Sequence, residues 1–260
     1  MTPIIELENV SCGYSEDRKV LEDINLRIDE PEYICIIGPN GVGKSTLIRV
    51  IDRIIHPMWG TVRVFGRNVS EYKLKELSKL IGYVPVISAD FNAETVLNTV
   101  LIGRYTHQKH KATPEDLKIA YKALAAMEIE ELADRNFNKL SAGQRQKVSL
   151  ARGLAQEPKV LILDEPTANL DVRHQVYVNA FLRELSERTQ TTVLSVSHDI
   201  NLAAKYAHKL IVLRKPGRLY AYGTPGEIIT RNAIREVYGV DCDIIEHGGV
   251  PHVILENVLE

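Results

Sequence analysis

Short apolar runs recur along the chain, and the stretches between them carry apolar residues at every third or fourth position. Several of the short runs are apolar throughout, which is typical of strands covered on both faces. The short runs predict strands at Ile4–Val10, Ile24–Ile28, Tyr33–Ile37, Thr61–Phe65, Ile81–Val84, Val160–Leu163, Thr192–Val196, Leu210–Leu213 and Leu219–Tyr222. The helical spacing predicts helices at Lys44–Ile54, Thr113–Met127, Ala142–Ala155, Val172–Ser186 and Ile200–Ala207.

The order of these elements predicts an α/β fold, because strands that alternate with helices favour a parallel sheet flanked by helices. The first two strands follow each other without a helix between them, so we expect an antiparallel β subdomain at the start. The stretch from Ser88 to Glu157 is almost purely helical, which indicates an insert. We therefore predict a single domain 1–260, with a core at about residues 1–86 and 157–260 and a helical insert at about residues 87–156.

The composition is that of an ordinary globular protein, with 45% hydrophobic and 25% charged residues among 260. The formal net charge of −2 gives no general attraction to nucleic acid or to anionic lipid. Cys12, Cys35 and Cys242 stand far apart, without the spacing of metal ligands. We interpret them as small packing residues in a reducing compartment, with a disulfide or a metal site as the alternative.

We expect no targeting or membrane-spanning segment in this sequence. The N-terminal MTPIIELENV lacks a basic stretch followed by an apolar one, which is the pattern of a signal peptide. No run approaches the roughly 18–20 apolar residues that cross a bilayer. If the protein works at a membrane, another chain is expected to hold it there.

A phosphate-binding loop is the clearest chemical signal in the sequence. The motif G-x-x-x-x-G-K-[ST] is matched at every fixed position by the run Gly38-Pro39-Asn40-Gly41-Val42-Gly43-Lys44-Ser45-Thr46. An apolar strand precedes the run and an amphipathic helix follows it, as the motif requires. Glycines let successive backbone N–H groups point at phosphate oxygens, and the positive end of the helix dipole faces the same anion. We predict that the run binds ATP, that Lys44 reaches its β- and γ-phosphates and that the Ser45 hydroxyl ligates Mg²⁺.

Two carboxylates, Asp164 and Glu165, end the buried strand Val160–Leu163. At the carboxyl end of a parallel strand this pair is expected beside the phosphate loop. Asp164 suits a Mg²⁺ site that phosphate oxygens and water complete. Glu165 points the other way and is the candidate general base, holding a water for in-line attack on the γ-phosphate. The alternative is a solvated acidic turn.

The segment Leu140-Ser141-Ala142-Gly143-Gln144 precedes a predicted helix. Together with the phosphate loop and the acidic strand end, it resembles the signature of the ABC-type ATPases, and the resemblance covers essentially the whole chain. It implies a RecA-like P-loop NTPase core. The family's signature is LSGGQ, and alanine here replaces its first glycine, a small residue for a small residue. The resemblance implies a head-to-tail dimer in which Ser141, Gly143 and Gln144 of one copy contact the ATP bound by the other; Ser141 is also a candidate helix N-cap.

Other positions resemble family motifs one by one. Tyr14, 24 residues before Gly38, resembles the aromatic residue that stacks on adenine. Ala168-Asn169-Leu170-Asp171 resembles the D-loop, which crosses the dimer, with Asp171 as its acidic residue. His198 follows a predicted strand and resembles the switch histidine that contacts the γ-phosphate, although a lone histidine after a strand is more often structural.

One position departs from the family pattern. Glutamine normally follows the strand that leads into the insert, where it approaches Mg²⁺ and the attacking water, and Val86 stands in that place. Valine neither coordinates a cation nor orients water. No neighbour is an obvious substitute, since Gln108 lies well downstream. Either Glu165 and His198 alone position the water, or the coupling of hydrolysis to the partner is altered.

The resemblance implies an importer subunit on the cytoplasmic face of a prokaryotic membrane, with permease subunits and a substrate-binding protein as partners. The segments Thr99–His107 and Glu236–Val240 resemble subunits that import metal chelates: ferric siderophores, haem and cobalamin. Importers of zinc, manganese, molybdate or tungstate remain alternatives. A second alternative is a soluble ABC protein that acts in DNA repair or on the ribosome, which the near-neutral charge and the single ATPase unit disfavour. A third is a binding module that is gated by ATP and hydrolyses it only slowly.

Overall fold

The structure is a computed structural model that describes residues 2–15, 18–86, 95–107 and 111–259. Its strands are β1 (Ile5–Ser15), β2 (Arg18–Ile28), β3 (Tyr33–Ile37), β4 (Trp59–Val64), β5 (Arg67–Asn68), β6 (Ile81–Val84), β7 (Val160–Leu163), β8 (Thr192–Val196), β9 (Lys209–Arg214), β10 (Arg218–Gly223), β11 (Val240–His247) and β12 (Val250–Val258). Its α-helices are α1 (Lys44–Ile51), α2 (Leu74–Leu80), α3 (Val96–Leu101), α4 (Pro114–Ala126), α5 (Ala142–Ala155), α6 (Val172–Thr189), α7 (Ile200–Tyr206), α8 (Pro225–Ile228) and α9 (Arg231–Tyr238).

Each strand and helix that the sequence predicted overlaps an element of the structure. Strands β3, β6, β7 and β8 and helix α5 have the predicted bounds. Strand β5, helix α2 and the C-terminal elements α8, α9, β11 and β12 were not predicted from the sequence. No separate bounds were predicted for α3, and residues 88–94 and 108–110 of the predicted helical stretch lie outside the described residues.

The chain forms two compact units, of which the first comprises Met1–Tyr72 and Asn179–Glu260. Its N-terminal part is a sheet in the order β2-β1-β4-β5, in which every neighbouring pair is antiparallel. This sheet confirms the antiparallel β subdomain. Strands β1 and β2 follow each other directly in the sequence, as hairpin-type pairing requires.

A second sheet of this unit contains β10, β9, β3 and β8 in that order. Strand β3 is parallel to β8 and to β9, while β10 is antiparallel to β9. All residues of β3 are buried, which explains why this strand is apolar throughout. Ile36 is paired with Val196 of β8 and with Ile211 of β9, so the carboxyl ends of β3 and β8 lie at the same edge.

The C-terminal end of the first unit is an antiparallel hairpin of β11 and β12. Its register places Ile244 opposite Val253. Helix α9 buries Ala233, Ile234 and Val237. These positions lie on one face of the helix, as the apolar residues of an amphipathic helix do. Sequence reasoning missed the hairpin because its strands mix charged and apolar residues without clear alternation.

The second unit comprises Lys73–Val178 and contains β6, β7 and helices α2 to α5. Strands β6 and β7 are parallel, with Val84 opposite Leu163. The described residues of the predicted insert 87–156 lie within this unit, where α3 and α4 pack against α5. Across the described parts of both units, no helix is long and apolar enough to span a membrane.

Candidate nucleotide-binding site

The phosphate loop connects the buried strand β3 to helix α1. Three of its glycines have positive φ angles, with Gly38 at 148°, Gly41 at 74° and Gly43 at 106°. A Cβ atom at Gly38 would lie 2.4 Å from the backbone oxygen of Leu213, so glycine is required there for space as well as for conformation. The loop therefore wraps as the sequence predicted, and α1 begins at Lys44.

Lys44 is buried, with only 5% of its surface exposed. Its ammonium donates hydrogen bonds to the backbone oxygens of Gly38 at 2.8 Å and Pro39 at 3.0 Å. These bonds hold the charge over the loop, at the end of α1 whose first N–H groups have no intrahelical acceptor. A buried cation beside a helix N-terminus is an arrangement that attracts anions.

Tyr238 of α9 also contacts the phosphate loop, which sequence reasoning did not anticipate. Burial raises the pKa of its phenol, and its oxygen accepts a hydrogen bond from the backbone N–H of Gly38. The phenol therefore stays neutral at physiological pH. A tyrosine in the C-terminal segment carries no local pattern that links it to a loop two hundred residues earlier.

His198 lies in the segment between β8 and α7, at the same sheet edge as the phosphate loop. The N–H of Ser197 donates to the oxygen of Ile36 at 3.1 Å, two residues before Gly38. His198 itself is exposed. The first unit thus brings the predicted phosphate loop and the predicted switch histidine to one edge of one sheet.

The acidic strand end lies in the second unit. Asp164 is 1% exposed, and its N–H donates to the oxygen of Val84 at 2.9 Å. Glu165 is less buried and has a φ of 51°, a left-handed conformation that is uncommon for a non-glycine residue. Such strained residues are frequent at functional sites. Asp164 is thus the more buried of the two adjacent residues.

Strand β6 brings two further side chains to this end. The Tyr83 hydroxyl donates a long hydrogen bond of 3.4 Å to Oδ2 of Asp164. Val86 follows β6 by two residues and is 38% exposed. Tyr83 was not predicted as a site residue, although a tyrosine among the aliphatic residues of a strand is a signal for one. Gln108, considered as a substitute for the missing glutamine, lies outside the described residues.

The signature segment caps helix α5. The Ser141 hydroxyl accepts from the N–H of Gln144 at 3.2 Å, and the Gln144 side chain accepts from the N–H of Ser141 at 3.1 Å. This reciprocal pair is a capping box, so Ser141 is an N-cap residue. Ser141 and Ala142 are exposed. The alanine that replaces the family's glycine therefore has room.

Helix α5 is joined to the segment after the acidic pair. The buried Gln146 side chain donates to the oxygen of Pro166 at 2.9 Å. A Cβ atom at Gly143 would lie 3.5 Å from the Leu170 side chain, which is ordinary contact. The signature and the predicted D-loop are thus neighbours within one unit.

Asp171 precedes helix α6 and accepts two hydrogen bonds from His174. The backbone N–H of His174 lies 2.9 Å and its Nδ1 2.8 Å from Oδ1 of Asp171. These bonds, the backbone one first, lower the pKa of Asp171. The carboxylate is exposed and charged at neutral pH. Tyr14 lies in β1, but its side chain is outside what the structure describes.

Comparison with known proteins identifies the family. The family described as ABC transporter matches residues 21–168. The probable siderophore transport system ATP-binding protein YusV of Bacillus subtilis is 38% identical over 93% of this chain and 88% of that protein. The ferric enterobactin transport ATP-binding protein FepC of Escherichia coli is 38% identical over 95% of this chain and 92% of that protein.

The chain belongs to the ABC transporter family. Membership confirms the predicted ATP-binding domain and ATPase activity. Among solved structures, an inward-facing putative metal-chelate type ABC transporter matches 98% of both chains, with a TM-score of 0.83 and 28% identity. A dimeric ATP-binding cassette in a post-hydrolysis state, bound to ADP and phosphate, matches 85% of this chain and 98% of that one, with a TM-score of 0.74 and 32% identity. These matches confirm the predicted fold class.

Proposed function

We propose that this ABC ATPase drives uptake of a metal chelate, of the ferric siderophore, haem or cobalamin type, through separate permease subunits. The observation that carries the proposal is similarity along the full chain. The metal-chelate type transporter structure matches 98% of this chain, against 85% for the dimeric cassette. The match with this chain covers 88% of the length of the relative named for siderophore transport and 92% of the length of the relative named for enterobactin transport.

ATP binds through the loop Gly38–Thr46, with Lys44 on the β- and γ-phosphates and Tyr14 on the adenine. The buried ammonium of Lys44 and the positive φ angles of the loop glycines support this assignment. Both features orient positive charge and backbone N–H groups toward an anion.

Ser45 and Asp164 would hold Mg²⁺, which would neutralise charge on the ATP phosphates. Their hydroxyl and carboxylate oxygens are the donors that this cation prefers. Within the described residues no group of three or more His, Cys, Asp or Glu side chains could hold a metal ion. In nucleotide sites Mg²⁺ is usually held by one or two protein carboxylates or hydroxyls together with substrate phosphates.

Glu165 is the general base that takes a proton from the attacking water, and His198 contacts the γ-phosphate. The different burial of Asp164 and Glu165 supports a division of roles between adjacent carboxylates. The hydrogen bond from Ser197 to Ile36, which brings the His198 segment to the edge of the phosphate loop, supports the switch role.

The working unit is a head-to-tail dimer that shares two ATP molecules. Ser141, Gly143 and Gln144 contact the ATP of the other copy, and Asp171 belongs to the D-loop that crosses the dimer. The exposure of Ser141 and Asp171 supports contacts beyond their own chain. The permease subunits, and a substrate-binding protein with them, hold this dimer at the cytoplasmic face of a prokaryotic membrane.

Reconstitution tests the proposal. The chain is assembled in proteoliposomes with its permease subunits and their binding protein, and ATP-dependent uptake is measured. Ferric siderophore, haem and cobalamin are compared with Zn²⁺, Mn²⁺ and molybdate, and the Glu165→Gln variant serves as the inactive control. Uptake of one of the chelates is expected. Uptake of a free metal ion or of molybdate alone would replace the proposal by its alternative.

A further inference from the structure

The side chain of Asn201 ties helix α7 to the C-terminal hairpin. Its Nδ2 donates to the backbone oxygen of Val253 at 3.1 Å, and its Oδ1 accepts from the backbone N–H of Val253 at 2.8 Å. Val253 is buried in the middle of β12. A side-chain amide that satisfies both groups of one residue replaces the ladder bonds of a neighbouring strand.

This contact lies three residues after His198, in the first turn of α7. On the other side of His198, the N–H of Ser197 is bonded to Ile36 of β3. Between these points, Asp199 caps α7 by accepting from the N–H of Leu202 at 2.8 Å. The segment that carries His198 is therefore anchored at one end to the strand before the phosphate loop and at the other end to the hairpin.

Beside this anchor the hairpin and the segment enclose open space. A cleft of about 390 Å³ is lined by His198, Asp199, Ile200, Asn201, Val253 and Leu255. Leu255, on the hairpin side of the cleft, is 60% exposed. Close packing does not fill this side of the segment, so its position depends strongly on the paired hydrogen bonds of Asn201.

We propose that Asn201 is a positioning residue for ATP hydrolysis, which holds the segment of His198 against the C-terminal hairpin. The inference rests on the proposed role of His198. If Asn201 has this role, β12 contributes to hydrolysis through Val253, although the strand lies outside residues 21–168, which match the family. Loss of the anchor leaves ATP bound, because the phosphate loop is unchanged, but lets His198 move away from the γ-phosphate.

The test uses the purified full chain and steady-state ATP hydrolysis measured over a range of ATP concentrations. Asn201→Asp keeps the size and the acceptor but loses the donor and sets a carboxylate oxygen against the Val253 carbonyl. We expect kcat to fall about tenfold, as the loss of ~1.4 kcal/mol from the transition state implies. The KM for ATP should change less than about twofold, because the phosphate loop that holds the ATP phosphates is unchanged. Asn201→Gln, which keeps both groups on a longer side chain, should have an intermediate kcat.

Asp241→Asn is the matched control, because it weakens a different anchor of the same hairpin. Asp241 accepts from Arg235 of α9 at 3.0 and 2.8 Å and does not touch the segment of His198. Its kcat should stay within about twofold of wild type even where its Tm falls as far as that of Asn201→Asp. If both variants lose kcat in proportion to Tm, Asn201 has a structural role only and the inference is wrong.

A double-mutant cycle shows whether Asn201 acts through His198. In a His198→Ala background, Asn201→Asp should reduce kcat no further. A further tenfold loss would overturn the inference. If His198→Ala alone leaves kcat unchanged, the proposed role of His198 fails. If His198→Ala lowers kcat while Asn201→Asp does not, only the inference about Asn201 fails.

Discussion

The Nε of Arg104 donates a hydrogen bond to Oδ1 of Asp116 at 2.9 Å, and both side chains are 7% exposed. Arg104 also donates to the oxygen of Ala155 and to the Glu157 carboxylate, each at 2.8 Å. A single guanidinium thus joins the start of α4 to the end of α5. Arg104 lies in the segment Thr99–His107, which resembles that of metal-chelate importers, and Asp116 lies in the helix that follows it.

Removing Arg104 should destabilise the protein strongly. Arg104→Met leaves Asp116 buried without its cation, and breaking a buried pair in this way costs about 3–5 kcal/mol of the free energy of unfolding. Arg188→Met is the control, because Arg188 pairs with Glu184 on the surface of α6 and such pairs contribute at most about 0.5 kcal/mol. Urea denaturation of both variants measures the difference. Equal losses in the free energy of unfolding would show that the buried pair stabilises the protein no more than the surface pair does.

The same contacts predict how stability depends on pH. The backbone N–H of Thr113, followed by the side chains of Arg104 and Thr113, holds the pKa of Asp116 below its ordinary value. A carboxyl whose pKa is depressed by folding stabilises the protein above the unfolded pKa of about 3.9 and loses this contribution as the pH falls through the folded pKa. Asp116→Asn should therefore lower the free energy of unfolding at pH 7. It should also make the further loss of stability below about pH 4 smaller than in wild type. Denaturation midpoints between pH 7 and pH 3 test this, and an unchanged slope would contradict it.

The phosphate loop could be predicted from sequence because its chemistry is local. Its glycines, its lysine and its flanking strand and helix lie within one short run, and the structure forms them as expected. The bond from Tyr83 to Asp164 and the anchor from Asn201 to Val253 join residues 81 and 52 positions apart. No local pattern encodes such pairs. The hairpin was missed for a related reason, since its strands gain their buried face by packing on α7, α8 and α9.

Two loop glycines should differ in their tolerance of alanine. Both Gly38 and Gly41 have positive φ angles. Alanine adds about 1–2 kcal/mol of backbone strain at Gly41, whose φ of 74° is near the left-handed helical region, and more at Gly38, whose φ is 148°. A Cβ atom at Gly41 meets nothing within 4 Å, whereas at Gly38 it would lie 2.4 Å from the oxygen of Leu213. Gly38→Ala is expected to lose more stability and more ATP affinity than Gly41→Ala. Thermal unfolding and nucleotide titration of the two variants test this order, and the reverse order would refute it.

Val86 provides a test of coupling. It follows β6 beside the strand that ends in Asp164, where the family has a glutamine. We expect that the ATPase of wild type responds weakly to its permease partner, because a polar contact to the metal site is missing. Val86→Gln should increase the stimulation of hydrolysis by the partner severalfold in the reconstituted transporter. Val86→Leu, which restores no polar group, is the control. An unchanged rate and unchanged stimulation in Val86→Gln would contradict the hypothesis.

The proposed shared ATP site is tested by removing the proposed general base, Glu165. Glu165→Gln keeps the shape of the side chain but accepts a proton far less readily, so hydrolysis should fall by about a hundredfold or more, while ATP binding continues. Because hydrolysis is what opens the dimer, the variant should accumulate as an ATP-bound dimer detectable by light scattering. Adding Ser141→Arg places a long cation on the exposed N-cap of α5 and should return the variant to a monomer that still binds ATP. A Glu165→Gln protein that stays monomeric when saturated with ATP would refute the head-to-tail arrangement. If dimers form to the same extent without ATP, the claim that the nucleotide links the two copies is wrong.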